Sequence, residues 1–434
     1  MVRFKWLRAA IAALLVTQGA HANDDSFPRL GGVNNGGAHD YDNTTYQANL
    51  AKLNISMLGI WPGWSGGGMT MEQVVRNIKK INPNTRIFLY ENSMEVVQSA
   101  DSYADVYDKV DAMKWWLSPI GATGSKVLSE YGQQTNKYIY QVNTTQYTRK
   151  DSNGYQQWEW HARWIVDELY KPNPSIDGFF EDNVFWQPRV SGDWNLDGVT
   201  DSPATAGPWV RAGYKARFNL MRTLMPGKYM IGNIADWGHK NAVLTELNQS
   251  LNGGIIEGII GPTYAPETWG GWSEMMRWYR KTMDAIAEPK WVMFHMQGSS
   301  SDYQGVRYGL TSCLMDDGYF AFTDTAKGYT GVPWFDEYDA KLGKAISSPS
   351  KSAWQKGVYR RDFENGIALV NPKGNGAQTI TLDEDFKRIA GKQVTSINNG
   401  QIVRTLTLKD RDGIILLRVK SKSLPVAPRL ISVN

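Results

Sequence analysis

Two acidic positions stand in runs of apolar residues, where a charge is costly unless it is used or paired. The stretch "SIDGFFEDNVFWQP", residues 175–188, places Glu181 and Asp182 among four aromatic side chains. The stretch "GGIIEGIIG", residues 253–261, places Glu257 between isoleucines. Desolvation there would favour the protonated carboxyl, which is the form that a general acid needs. The alternative for this Glu is a buried salt bridge to an Arg or Lys.

Eight short apolar runs alternate with helix-like segments, which predicts parallel strands covered by helices. Eight such units over residues 23–345 indicate a (β/α)8 barrel. A doubly wound sheet is disfavoured because no glycine-rich phosphate loop leads from the first run into a helix. One helix is predicted from Thr70 and Gln73 at capping-box spacing, with Pro83 closing it. The long segment 95–174 is expected to build part of a cleft wall.

Strand geometry separates the acids of the fourth run. Alternate side chains point to opposite faces, so Glu181 and Asp182 cannot both face the barrel axis. We expect one of the two to be catalytic and the other to pair with a neighbour. Asp177 stands at the start of the run, away from the catalytic rim, and is expected to be structural.

The ends of the other runs carry acids, amides and aromatic residues. This mixture suits recognition of a polyhydroxyl ligand, with two acids placed for work on a glycosidic bond. Besides the acids above, Asp236 is a further catalytic candidate. The candidates for binding the sugar are Asn34, Trp61, Trp64, Tyr90, Glu91, Asn183, Trp186, Asn233, Trp237, Trp272, His295 and Gln297.

The motifs resemble those of a known group of barrels. "IDGFFEDNV" resembles the fourth-strand motif of glycoside hydrolase barrels that include the endo-α-1,4-galactosaminidase type, and "GGIIEG" is similar to their sixth-strand Glu. The family most similar to the whole is hypothetical glycosyl hydrolase family 15. The resemblance implies that Asp182 and Glu257 form the catalytic pair. The chain departs from the pattern by placing Glu181 directly before the Asp.

Two functions follow from these residues. The first is a glycoside hydrolase that cleaves a polysaccharide or oligosaccharide and needs no cofactor for its chemistry. The alternative is a barrel that binds carbohydrate without cleaving it, in polysaccharide assembly or export. A metal-dependent hydrolase is disfavoured because the histidines are scattered, with no second ligand at metal-binding spacing.

The stretch "DWNLDGVTD" raises the question of a structural calcium ion. Asp193, Asn195, Asp197 and Asp201 have the spacing of a calcium-binding loop, but position 204 is Ala where an acidic ligand is usual. The alternative is a tight turn held by hydrogen bonds from Asp and Asn side chains.

The two ends of the sequence differ from its middle. Residues 1–22 have a basic start, a short apolar run and a small-residue site, which predicts a signal peptide cleaved after Ala22 and a secreted or periplasmic protein. Cleavage removes three basic residues and no acidic ones, so the net charge falls from +4 to +1, which gives no electrostatic case for nucleic acid. We expect a monomer without a membrane span. Residues 350–434 contain short strand-like runs and turn residues, which predicts an all-β sandwich.

Overall fold

A computed structural model describes residues 26–36, 40–60, 67–98, 103–121, 125–134, 137–238, 247, 250–262 and 265–419. The predicted signal peptide lies outside these residues, as do Trp61 and Trp64. Within the described part, no helix has the length and apolar character needed to cross a membrane.

Eight parallel strands close into a barrel, which confirms the predicted (β/α)8 architecture. Neighbouring strands pair in parallel all the way round, from the first strand back to the last. The barrel strands are β1 (Leu30–Asn34), β2 (Ile55–Leu58), β3 (Arg86–Glu91), β7 (Gly178–Glu181), β8 (Tyr229–Asn233), β9 (Gly253–Ile260), β10 (Trp291–Gly298) and β11 (Tyr319–Asp324).

Helices cover the outside of the barrel. They are α1 (Thr44–Leu50), α2 (Met71–Ile81), α5 (Pro203–Leu224), α6 (Pro266–Ala285) and α7 (Tyr303–Cys313). Helix α2 begins with the predicted capping box, in which Thr70 and Gln73 satisfy each other's backbone amides. It ends before Pro83, as predicted.

A long insertion separates β3 from β7. It contains β4 (Glu95–Gln98), α3 (Ala104–Met113), β5 (Leu128–Gln134), β6 (Lys137–Gln141) and α4 (Gln157–Trp164), which continues as a π-helix over Ile165–Tyr170. Its strands form an antiparallel sheet in the order β4-β6-β5. Because the insertion starts where β3 ends, this sheet stands at the carboxyl rim of the barrel.

The barrel strands alternate between an inner and an outer core. Phe180 and Ile255 belong to the cluster that fills the barrel, whereas Phe179 and Ile256 pack outward against the helices. The pattern places every second residue inside. Two residues further along the inner face, several strands carry a polar side chain in place of an apolar one, and five of these side chains belong to the site described below. Those residues are Tyr90, Asp182, Asn233, Glu257 and His295.

The C-terminal module is all-β, as predicted, and forms one five-stranded antiparallel sheet. Its strands are β12 (Tyr359–Phe363), β13 (Gly366–Asn371), β14 (Gln378–Arg388), β15 (Ile402–Leu408) and β16 (Asp412–Arg418). Ile367 and Leu369 belong to the module's own core, and the alternate residues Ala368 and Val370 to the core shared with the barrel. The module is therefore packed against the barrel through one face of its sheet.

Candidate active site

Asp182 and Glu257 meet above the barrel core. Asp182 directly follows β7, and Glu257 lies in β9. Between them stands Asn233, the last residue of β8. Its side-chain amide donates to Asp182 Oδ1 at 3.0 Å and to Glu257 Oε2 at 2.7 Å. Since both oxygens contact the same nitrogen, they lie no farther apart than the sum of those distances, 5.7 Å.

Neutral donors surround the Asp182 carboxylate. The Tyr90 hydroxyl donates to Oδ2 at 2.7 Å, and the backbone amide of Asn183 donates to Oδ1 at 2.9 Å. Burial and the negative charge of Glu257 raise the pKa of Asp182 to about 6, although the hydrogen bonds favour its ionised form. The structure thus places a desolvated carboxyl at Asp182.

The Glu257 carboxylate is only partly buried. Apart from Asn233, its described hydrogen-bond partner is the hydroxyl of Tyr329, to which Gln297 donates at 3.0 Å. Burial and the charge of Glu257 raise the pKa of Tyr329 well above its usual range, so the hydroxyl stays protonated and donates a hydrogen bond to Glu257. Within the described residues Glu257 makes no salt bridge, which was the alternative considered for it.

A β-bulge fixes the direction of Glu257. The pairing of β9 with β10 shifts register beyond Phe294, and Gly258 adopts a φ of +61°. A left-handed backbone favours glycine, which explains the residue after the Glu. His295 Nδ1 accepts the Gly258 amide at 3.2 Å, and its Nε2 lies 2.9 Å from Thr323 Oγ1. Burial lowers the pKa of His295 to about 3, so the ring is neutral and positions the bulge.

Glu181 lies on the opposite face of β7, outside the cleft. Arg217 of α5 forms ion pairs with Glu181 and Glu91, and all three side chains are buried. Glu181 also accepts the amide and hydroxyl of Ser93. The structure therefore resolves the choice left open at the fourth strand: Asp182 faces the cleft and Glu181 pairs with a neighbour. Both Glu181 and Glu91 are therefore held in ion pairs with Arg217.

Asp177 is structural, as predicted. Its carboxylate pairs with Lys79 at 2.6 Å and with Arg86 at 3.0 Å, and it accepts the backbone amide of Ile87. These contacts lie at the amino end of β7, away from Asp182.

A cavity of about 370 Å³, here called the inner hollow, lies between Asp182 and the insertion. One wall is apolar and includes Val96, Ile139 and Trp164, whereas the rim carries the acids. The buried His161 lines this hollow, and its Nδ1 has no hydrogen-bond partner among the described residues. The polar lining consists of Tyr90, Glu91, Asn92, Glu95, Tyr103, Tyr131, His161, Asp182, Asn183 and Glu257.

A second cavity of about 450 Å³, the outer hollow, adjoins the first. Tyr131, Asn183 and Glu257 line both hollows, whereas Asp182 lines only the inner one. The outer hollow is lined by Glu130, Tyr131, Asn183, Phe185, Arg189, Asn233, Ala235, Asp236, Glu257, Gly258, Gln297 and Tyr329. The two hollows adjoin in one cleft region, with Glu257 at their shared boundary.

Asp236 lies in the outer hollow, apart from the central pair. Its carboxylate accepts the backbone amide of Trp186 and lies 3.6 Å from Arg189. Burial raises the pKa of Asp236 to about 6, against the lowering effect of Arg189. Its position suits contact with a ligand in the outer hollow.

The sequence did not point to Glu95, a third carboxylate at the site. Asn92 and Asn183 donate to Glu95 Oε2 at 3.1 and 2.9 Å. Burial raises the pKa of Glu95 to about 7, and the charge of Asp182 adds to the effect. Glu95 belongs to a strand of the insertion, and Tyr329 to the loop after β11, so no local pattern connected either residue with the barrel rim.

Several predicted sugar-binding residues lie away from the cleft. Trp237 is buried and donates to the Val184 carbonyl, while Trp272 is buried against Tyr359 of the C-terminal module. Asn34 is buried and donates to the Gly331 carbonyl. These three side chains are buried in the core and do not reach the cleft, contrary to the prediction that they bind the sugar. Trp186 is half-buried, and the Arg211 guanidinium covers its ring at 3.8 Å.

The loop at residues 193–201 is held by hydrogen bonds to its own backbone. Asp193 is buried and accepts the amides of Asp197, Gly198 and Gly121, and Asp201 accepts that of Trp194. This is the arrangement of the tight turn considered as the alternative. Calcium binding by Asp193, Asn195, Asp197 and Asp201 stays a prediction.

A closed barrel with acids gathered at its carboxyl rim is an architecture of glycoside hydrolases, and the sequence comparison places the protein in that class. The model of hypothetical glycosyl hydrolase family 15 matches residues 79–367, which is well over half of the chain. The chain belongs to this family. No curated protein matches the sequence.

Solved structures share the fold at low sequence identity. An α-amylase from Anoxybacillus is 10% identical with a TM-score of 0.50, and the match covers 92% of this chain and 99% of that one. An α-amylase from Lactobacillus plantarum is 9% identical with a TM-score of 0.51, covering 91% and 99%. At such identities the likeness concerns the fold alone.

Proposed function

We propose that this glycoside hydrolase cleaves a polysaccharide or oligosaccharide with retention of configuration, Asp182 acting as nucleophile and Glu257 as acid and base. One observation carries the proposal: the Asn233 amide holds an oxygen of each carboxylate within 5.7 Å of the other. Retaining enzymes separate their two carboxyl groups by about 5 Å, whereas inverting enzymes leave roughly 6.5 to 9.5 Å for a water molecule.

The hollows support the division of roles. The sugar that becomes attached to Asp182 would occupy the inner hollow, which that carboxylate lines. Glu257 borders both hollows, as an acid must if it protonates the oxygen between two subsites. In the first step Asp182 bonds to the anomeric carbon while the glycosidic C–O bond breaks, and Glu257 gives its proton to the departing oxygen.

The second step reverses these roles. A water molecule from the outer hollow gives a proton to Glu257, and its oxygen bonds to the anomeric carbon as the bond to Asp182 breaks. Positive charge develops on the sugar ring in both transition states. Glu95, which accepts a hydrogen bond from Asn183, adds negative potential near Asp182 when it is ionised.

Export of the protein belongs to the same proposal, because residues 1–22 have the composition of a signal peptide. A secreted or periplasmic hydrolase would meet polymers made outside the cytoplasm. The net charge of +1 expected after cleavage favours neither strongly anionic nor strongly cationic polymers.

The mature protein can be incubated with a panel of α- and β-linked glucans, galactans and hexosamine polymers while new reducing ends are measured. Proton NMR of the first product then gives its anomeric configuration, which we expect to match that of the cleaved bond. A product of inverted configuration would refute the role of Asp182 as nucleophile. Activity in the Asp182→Asn/Glu257→Gln double variant would refute the assignment of these two residues as the catalytic pair. Binding without new reducing ends would favour the non-catalytic alternative.

A further inference from the structure

A third cavity of about 370 Å³ lies where the barrel meets the C-terminal module. We call it the interdomain hollow. The barrel contributes Glu267, Thr268, Gln297 and Ser299, and the module contributes Lys373 and Arg411. It is thus built from residues more than a hundred positions apart in the chain.

The interdomain hollow borders the outer hollow at Gln297. Gln297 lines both the outer hollow and the interdomain hollow. The same side chain donates to Tyr329, whose hydroxyl donates to Glu257. Ile260, another lining residue, lies three positions after Glu257 in β9, which is roughly 10 Å along a strand.

The charges of this hollow suit a neutral, hydroxyl-bearing ligand. Arg411 Nε lies 3.2 Å and Lys373 Nζ 3.7 Å from the carboxylate of the buried Glu267. The two cations are offset by Glu267 and by Asp302, which also lines the hollow. Arg411 and Lys373 remain 30% and 46% exposed, so both present N–H donors that sugar hydroxyls can accept.

The module holds these donors in fixed places. The amides of Gly374 and Gly376 both donate to Asp410 Oδ1 at 2.8 Å, which orders the turn that carries Lys373. Gln304 of α7 donates to the Asp410 carbonyl at 3.1 Å and ties this turn to the barrel. Thr268, which lines the hollow, is followed in sequence by Trp269, a residue that is 54% exposed.

We propose that the C-terminal module completes a distal sugar subsite, in which Lys373 and Arg411 hold the leaving-group side of a carbohydrate chain that runs from Glu257 past Gln297 to the module. This inference rests on the proposed function and deepens it. The substrate is then a chain of several sugars, and the module takes part in binding it. The sequence had given no binding role to the module.

Lys373→Ala is the variant of choice. Arg411 stays in place because its removal would leave Glu267 buried without its nearest cation. The matched control is Lys387→Ala, on an exposed position of β14 outside the interdomain hollow. The probe is a reducing-end-labelled ladder of oligosaccharides made from the polymer that the panel identifies. We expect the ratio of kcat/KM on long chains to that on the shortest cleaved chain to fall about tenfold with Lys373→Ala, and to stay unchanged with Lys387→Ala.

An equal loss on long and short chains, or no loss on either, would overturn the subsite while leaving the proposed function in place. If the unmodified protein cleaves nothing in the panel, the proposed function fails instead. The subsite is then tested by affinity electrophoresis in gels containing starch, galactan or chitosan. Weaker retardation of Glu257→Gln/Lys373→Ala than of Glu257→Gln would support the subsite, and equal retardation would refute it.

Discussion

Glu181 and Asp182 are adjacent in sequence, but their carboxylates lie in different surroundings. Glu181 faces outward into a buried cluster with Arg217 and Glu91, where Arg217 pairs with its carboxylate and the amide and hydroxyl of Ser93 donate hydrogen bonds to it. Asp182 faces inward and accepts hydrogen bonds from neutral donors, which are the Tyr90 hydroxyl, the Asn233 side chain and the Asn183 amide. A single step along a strand therefore separates a carboxylate used for packing from one available for reaction.

The difference shows what makes a buried acid reactive. In the outer cluster, burial raises the pKa of Glu91 well above its usual range. Only one of the two acids beside Arg217 then needs to be ionised for the charges of the cluster to cancel. In the inner pair neither acid forms a salt bridge within the described part of the chain, and burial together with the charge of Glu257 raises the pKa of Asp182 to about 6. Neutral donors orient the Asp182 carboxylate without compensating its negative charge, which leaves that charge to stabilise the positive charge on the sugar ring.

The largest effect is expected from Asp182→Asn. Loss of the nucleophile should lower kcat by at least about 10³-fold, with the thermal unfolding midpoint unchanged or raised because a buried charge is removed. Asp177→Asn, at the other end of the same strand, should lower the thermal unfolding midpoint because it breaks ion pairs with Lys79 and Arg86. It should leave kcat unchanged because the cleft stays intact. Steady-state kinetics and calorimetry of both variants check the contrast, and a wholly active Asp182→Asn enzyme would contradict it.

The outer cluster should respond in stability instead. Arg217→Met leaves two buried carboxyls without their cation, and we expect a loss of about 3 to 5 kcal/mol in the free energy of unfolding. The loss should shrink as pH falls, because protonation discharges the buried acids. Urea titrations at neutral and acidic pH measure this.

The control for Arg217→Met is Arg222→Met on the same helix, whose guanidinium contacts the Ser250 carbonyl and the Asn252 side chain rather than an acid. It should cost about 1 kcal/mol, with no added pH dependence. Equal losses in the two variants would remove the electrostatic explanation.

His295 should affect catalysis through position alone. His295→Leu removes the acceptor for the Gly258 amide, so the bulge that aims Glu257 loosens, and kcat should fall about tenfold with little change in KM. His295→Asn keeps an acceptor near the place of Nδ1 and should restore most of the activity. The pH profile should not move in either variant, because a ring with a pKa of about 3 does not titrate in the working range. A shifted profile would mean that His295 exchanges protons.

The smallest expected change is in the acid limb of the pH profile. Activity needs ionised Asp182, so kcat/KM should fall as pH drops through about 6. The Tyr90 hydroxyl stabilises that ionised form, and Tyr90→Phe should therefore raise the pKa and move the limb upward by about one unit. Tyr329→Phe, which loses a donor to Glu257 instead, should move this limb less. An unmoved limb in Tyr90→Phe would assign it to another group.

Local patterns in the sequence were enough for the barrel and for the two strands that carry its central pair. The alternation of Phe179, Phe180, Glu181 and Asp182 determined which faces they share, and the spacing of Thr70 and Gln73 determined how α2 begins. These features depend on the side-chain periods of strands and helices, two and about 3.6 residues, which can be recognised within a short stretch of sequence. Motif resemblance then favoured Asp182 and Glu257 over the other acids.

Only the tertiary structure decided which face of β7 opens into the cleft, which aromatic residues stay in the core, and what completes the site. Trp237 and Trp272 looked like sugar platforms but are buried, whereas Glu95 and Tyr329 reach the central pair from an insertion and a distant loop. Contacts of this kind join residues far apart in the chain, and composition and spacing carry no record of them. The sequence determined which side chains were available; the closure of the barrel and the packing of the insertion determined which of them meet.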